Sequence, residues 1–126
     1  MNVQLDHFIV PSRNAKASAQ QLAELLGVPW GVARIGPFVA VYLNEGLTLD
    51  FQDTDEAFPV SHYCFRLAQH EFDAILERIK AAGIEFRSTV QGPWDFKVGE
   101  EYGNVYWNVP DGHQWEILTN SYARRN

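Results

Sequence analysis

The order of elements legible in residues 1–53 recurs in residues 60–120, and this internal repeat confines the chain to folds built from two like modules. The first module opens with a strand over about residues 3–10. A helical pattern follows from Asn14 to Leu26, with Asn14 as N-cap and Gly27 just past the end. Ala15, Ala19, Leu22 and Leu26 recur at helical spacing and, with Leu25, form the apolar face, which the small Ser18 does not interrupt. A weaker strand over residues 30–35 ends at Gly36-Pro37. Extended stretches over 38–44 and 47–52 are joined by Asn44-Glu45-Gly46. Residues 53–59 are polar, contain Pro59 and read as a linker. The second module repeats the order. A strand spans about 60–67 and a helix about 69–82, with Phe72, Ile75, Leu76 and Ile79 on one face and Gly83 at its end. Extended stretches follow near 85–88, 104–109 and 114–119, with Pro110-Asp111-Gly112 as the last turn. Each module is thus β-α-β-β-β, within a single domain of 126 residues.

Overlaying the modules aligns chemistry as well as structure. His7 and His62 occupy matching places in the two opening strands, and Asp50 and Glu116 matching places in the two closing strands. Residues 89–103, which include Gly92-Pro93-Trp94, account for the longer second spacing. Side chains alternate along a strand, so one face of each can be assigned. Leu47, Leu49 and Phe51 pack inward while Thr48, Asp50 and Gln52 face the other way. Tyr63, Phe65 and Leu67 pack inward while His62, Cys64 and Arg66 share the open face. Trp115 and Ile117 go to the core, and Gln114, Glu116 and Leu118 line the opposite side. Two imidazoles and one carboxylate at strand centres cost free energy unless partnered. His7, His62 and Glu116 are therefore expected to share a divalent metal, as a facial set that leaves coordination positions open.

The net charge of −6 argues against nucleic acid and against an anionic membrane surface as partners. No apolar run approaches a membrane span. A single cysteine, Cys64, and a start without signal-peptide character suit a reducing cytoplasm, so a cytoplasmic location is expected.

Three segments carry a resemblance to a known family: residues 5–10 (Leu5-Asp6-His7-Phe8-Ile9-Val10), residues 62–65 (His62-Tyr63-Cys64-Phe65), and residues 106–116 around Asn108-Val109-Pro110-Asp111-Gly112-His113. Together they resemble the vicinal oxygen chelate superfamily, which includes glyoxalase I, bleomycin- and fosfomycin-resistance proteins and extradiol dioxygenases. Trp107 and Val109 depart from the last family motif, which has Phe and Asp there. The stretch from Phe38 to Phe51 further resembles a subgroup containing the ring-cleaving oxygenase of chartreusin biosynthesis. The resemblance implies an α+β fold in which two βαβββ modules form a curved eight-stranded mixed sheet around a metal cup. It also implies metal ligands at His7, His62 and Glu116, and a structural histidine at His113.

On this resemblance Tyr106, ten residues before Glu116, stands where extradiol dioxygenases carry a hydrogen-bonding tyrosine, and is the candidate catalytic residue. Their additional acid–base histidine has no motif-matched counterpart. Asp50 matches a carboxylate ligand of glyoxalase I but is one methylene shorter, and is assigned to substrate binding. Arg66 offers a positive charge to a deprotonated phenol or carboxylate, and Phe38, Tyr42 and Trp94 are candidates to stack on an aromatic substrate. Gly99 and Gly103 suggest a mobile loop. The expected function is an Fe(II) ring-cleaving dioxygenase acting on a small phenolic or polycyclic aromatic molecule, as a homodimer. The alternatives are a glyoxalase-like lyase or isomerase with Zn, Ni or Mn, and a bleomycin-resistance-like binding protein. In place of the threonine of fosfomycin-resistance enzymes the chain has Ile9.

Overall fold

The structure is a computed structural model that describes residues 2–124. The order of elements is β1 (His7–Ser12), α1 (Ala15–Leu26), β2 (Trp30–Val32), β3 (Val39–Tyr42), β4 (Thr48–Asp53), β5 (His62–Arg66), α2 (Gln69–Ala81), β6 (Val105–Trp107) and β7 (Gln114–Leu118). The chain divides into two compact units, Met1–Pro59 and Val60–Asn126.

In the first unit four strands form a mixed sheet in the order β1-β4-β3-β2, with β1 parallel to β4 and the other pairs antiparallel. Helix α1 begins where Asn14 turns extended and its side chain accepts from Ala17 N at 3.0 Å. It ends at Gly27, whose φ of 73° is left-handed backbone that favours glycine. The Asp53 carboxylate accepts from Ala15 N at 2.6 Å, tying the first turn of α1 to the end of β4. Ala15, Ala19, Leu22 and Leu25 are buried, as are Val10, Val41, Leu49 and Phe51 on the sheet. Ser18 is buried as well and is satisfied by Ser12 Oγ, which donates to it at 2.8 Å.

In the second unit three strands form a mixed sheet in the order β5-β7-β6, with β5 parallel and β6 antiparallel to β7. Its core holds Phe72, Ile75 and Ile79 of α2 together with Val105, Trp107, Trp115 and Ile117. Tyr63 and Phe65 stack on Trp115, with ring centroids at 4.8 and 6.0 Å. Burying side chains of this size stabilises by about 1.5–3 kcal/mol each.

Two expectations need correction. The strands number seven among the described residues, in two sheets, rather than eight in one. The stretch near residues 85–88 contributes only an isolated bridge between Arg87 and Tyr106. Ser88 is instead drawn into a turn, where Asp95 accepts from its amide at 3.0 Å and its hydroxyl at 2.6 Å. That pairing holds the Asp95 carboxyl below its ordinary range. The opening strand begins at His7, later than the sequence pattern suggests.

Candidate metal centre

Strand register gathers the polar side chains. In the second unit β7 lies between β5 and β6, and Glu116 is flanked by Cys64 on one side and Tyr106 on the other. Side chains opposite one another on paired strands share a face. His62 lies opposite Gln114 and Arg66 opposite Leu118, so both belong to that same face.

Glu116 is fully buried. Its Oε2 accepts from Asn104 Nδ2 at 3.0 Å, and its Oε1 accepts from the Tyr122 hydroxyl at 2.5 Å. Both donors are neutral. His62 Nε2 stands 3.0 Å from the same Oε1. The other ring nitrogen, Nδ1, is 3.1 Å from the Gln114 carbonyl. A carbonyl can only accept, so Nδ1 carries the proton of the neutral ring and Nε2 turns a lone pair toward a carboxylate oxygen. Two acceptors at that separation need a cation between them, either a proton on Nε2 or a metal ion. The Tyr122 hydroxyl, which donates to that same carboxylate oxygen, lies 3.5 Å from Nε2.

Around this pair the remaining groups stay protonated. Burial and then the Glu116 carboxylate raise the Tyr106 phenol above its ordinary value. Burial and the hydrogen bond to Glu116 raise that of Tyr122 further. Cys64 is exposed on the sheet face, yet surrounding protein and the same carboxylate push its thiol up to about 12. Tyr106 is nearly buried, and its hydroxyl accepts from Asn104 Nδ2 at 3.3 Å.

The first unit carries a second anchored imidazole. His7 Nδ1 donates to the Asp6 carboxylate at 2.7 Å, leaving Nε2 free. That hydrogen bond, with smaller effects from the charges of Asp6 and Asp50, holds His7 above its ordinary pKa. Ile9 lies opposite Asp50 and His7 opposite Thr48, so these four share one face of the sheet. Tyr42 joins them through its pairing with Thr48. The Phe38 ring lies against Gly36, where a Cβ would come within 2.8 Å of it.

The structure thus brings His62, Glu116 and Tyr106 together, and places His7 and Asp50 on one face of the other unit. Among the described residues no group of three His, Cys, Asp or Glu side chains is gathered to hold a metal. One face of Trp94 is occupied by the Arg87 guanidinium, 4.1 Å from the ring centroid. His113 is a buried structural residue whose Nδ1 accepts from Ser61 N at 3.0 Å. The glycine-flanked loop is pinned rather than loose: Gly99 N donates to the Asn104 carbonyl at 2.8 Å, and the Tyr102 carbonyl accepts from Thr119 N and Asn120 N.

Sequence reasoning passed over Asn104 and Tyr122. Asn104 was within reach, because it stands two residues before Tyr106 on the same side of the chain. Tyr122 lies beyond the last strand, where no periodicity assigns a direction.

No family model and no curated protein matches the chain. Solved structures do. One titled Oxidase ChaP-H2 is 36% identical over 97% of each chain, with a TM-score of 0.82. Another, Oxidase ChaP-H1, is 34% identical over 98% of this chain and 100% of that one, with a TM-score of 0.87. A fosfomycin resistance protein, FosX, from Listeria monocytogenes, complexed with Mn(II) and a dihydroxypropylphosphonic acid, shares the fold at 18% identity. It covers 98% of this chain and 96% of its own, with a TM-score of 0.70. One βαβββ unit and one βαββ unit, together with the likeness of nearly the whole chain to these two oxidases, place the molecule among glyoxalase/dioxygenase-like proteins. The chain belongs to the vicinal oxygen chelate superfamily.

Proposed function

We propose that the protein is a divalent-metal oxidoreductase, with His7, His62 and Glu116 as ligands and a phenolic or polycyclic aromatic molecule as substrate. The observation that carries this reading is the buried Glu116 carboxylate 3.0 Å from His62 Nε2, with His62 Nδ1 beside the Gln114 carbonyl. That the two similar structures are of proteins named oxidases supports the redox class. Fe(II) is favoured, because two imidazoles and one carboxylate with open positions suit it, while Zn, Ni or Mn would suit a lyase or isomerase. When bound, the ion supplies a Lewis acid and redox centre with free coordination positions.

The chain's own residues then set the chemistry. Asn104 fixes one oxygen of Glu116, so the other is the one presented to the ion. Tyr106, held protonated by burial beside that carboxylate, is proposed to donate a hydrogen bond to a substrate oxygen. Arg66 puts a positive charge on the sheet face that also carries His62, suited to a deprotonated phenol or carboxylate. Asp50, Phe38, Tyr42 and Trp94 are proposed to contact the substrate. The working assembly is proposed to be a homodimer in the cytoplasm.

Anaerobic purification, metal analysis and oxygen uptake with a panel of catechols test the proposal. Iron should be retained and lost in His62→Ala, with oxygen consumed as the ring opens. Tyr106→Phe should lower turnover by about 10²–10⁴-fold and spare metal affinity, while Asp50→Asn should act mainly on substrate affinity. Oxygen-independent turnover of a hemithioacetal, lost in Asp50→Asn and kept in Tyr106→Phe, would replace this reading with a glyoxalase-like one.

A further inference from the structure

We propose that Tyr122, in the segment after the last strand, is an additional oxygen donor to the metal ion. The inference rests on the reading of His62 and Glu116 as ligands. Three atoms meet at one point of the second unit: His62 Nε2, Glu116 Oε1 and Tyr122 Oη. Their separations are 3.0 Å between nitrogen and carboxylate, 2.5 Å between carboxylate and phenol, and 3.5 Å between phenol and nitrogen. Adjacent donors around a six-coordinate divalent ion with bonds of about 2.1 Å stand about 3 Å apart. The observed separations bracket that value, so a single ion can touch all three atoms.

The phenol is held where it is. Immediately after β7 the chain is turned back by the Tyr102 carbonyl, which accepts from Thr119 N at 3.3 Å and Asn120 N at 3.1 Å. Thr119 Oγ1 donates to the same carbonyl at 3.4 Å. The Tyr102 ring then packs edge-on against the Tyr122 ring, with centroids 5.0 Å apart. A tyrosine anchored at both its backbone approach and its ring presents its oxygen at small entropic cost.

The two tyrosines beside Glu116 are therefore not equivalent. Tyr106 reaches Asn104, which serves Oε2, whereas Tyr122 sits on Oε1, the oxygen that also faces His62. With the ion bound, the O–H bond of Tyr122 breaks, an oxygen–metal bond forms and the proton passes to solvent; no electron is transferred.

The test uses the whole protein. Wild type, Tyr122→Phe and Tyr106→Phe are purified anaerobically, loaded with Fe(II), assayed for bound iron, oxidised to Fe(III), and recorded by visible absorption and resonance Raman spectroscopy. A phenolate on Fe(III) gives a visible charge-transfer band with enhanced tyrosinate ring modes. That band is expected in wild type and Tyr106→Phe and is expected to vanish in Tyr122→Phe. Fe(II) affinity in Tyr122→Phe should fall on the order of 10–100-fold, the range seen when a group supporting a metal site is removed. Iron bound without such a band overturns the donor role and leaves the metal reading standing. A band that survives in Tyr122→Phe and is lost in Tyr106→Phe overturns it equally. Wild type that binds no iron overturns the metal reading and the donor role together.

Discussion

Gly99 has no side chain because the Asn104 carboxamide fills the space one would need: a Cβ there would lie 2.0 Å from Asn104 Oδ1 and 3.3 Å from the Ser88 carbonyl. Neither the amide nor the backbone can yield without cost, and the amide is what orients Glu116. Gly99→Ala should therefore act at the proposed metal centre although it touches none of the proposed ligands. The expected outcome is an on the order of 10–100-fold loss of Fe(II) affinity, together with about 1–3 kcal/mol of lost stability from overpacking. Titration calorimetry with the metal and a denaturant melt check the two effects separately. Unchanged metal affinity would mean that Asn104 does not set the carboxylate.

Helix α1 shows how few residues fix an element. The Asn14 side chain satisfies one amide of its first turn, Asp53 satisfies another from the end of β4, and left-handed Gly27 closes it. The cap is exposed. Asn14→Ala is expected to cost about 1 kcal/mol, or a fall of about 4 °C in Tm, with metal affinity unchanged. Thermal melts of the two proteins under identical metal conditions read this directly. Helix α2 lacks a side-chain acceptor at its cap, since Ala68 stands there, and relies on Glu71, whose carboxylate accepts from Ala68 N at 3.3 Å. The repeat of elements was legible because apolar spacing changes between strand and helix periods at the same places in both modules. The stretch near residues 85–88 read as a strand from its composition, but Asp95 draws Ser88 into a turn, a contact that spacing does not encode.

At the scale of the molecule, the end strands are β1 and β2 in one sheet and β5 and β6 in the other, and of these β6 is bridged on its outer side to Arg87. Apolar side chains remain exposed beside the first edge, Leu5 at 60% and Ile9 at 49%. Open edges with exposed apolar groups favour pairing with another chain. A homodimer is the expected state, with a mass by light scattering about twice the 14.4 kDa of one chain. A monomer at micromolar concentration would contradict it. Among the described residues no helix is long and apolar enough to cross a membrane.

What the sequence by itself determined is whatever depends on spacing: the α+β class, the two helices with the caps of the first, and the alternation that puts His62, Cys64 and Arg66 on one face. Periodicity assigns a face, and a face is enough to say which side chains can meet. It does not assign a distance or a donor. That Glu116 Oε1 faces His62 Nε2, that Asn104 claims its other oxygen, and that Gly99 makes room for that amide follow from packing that spacing does not encode. Tyr122 is the clearest case. It follows the last strand with no pattern around it, and only the bonds that turn the chain back at Tyr102 bring its oxygen to Glu116.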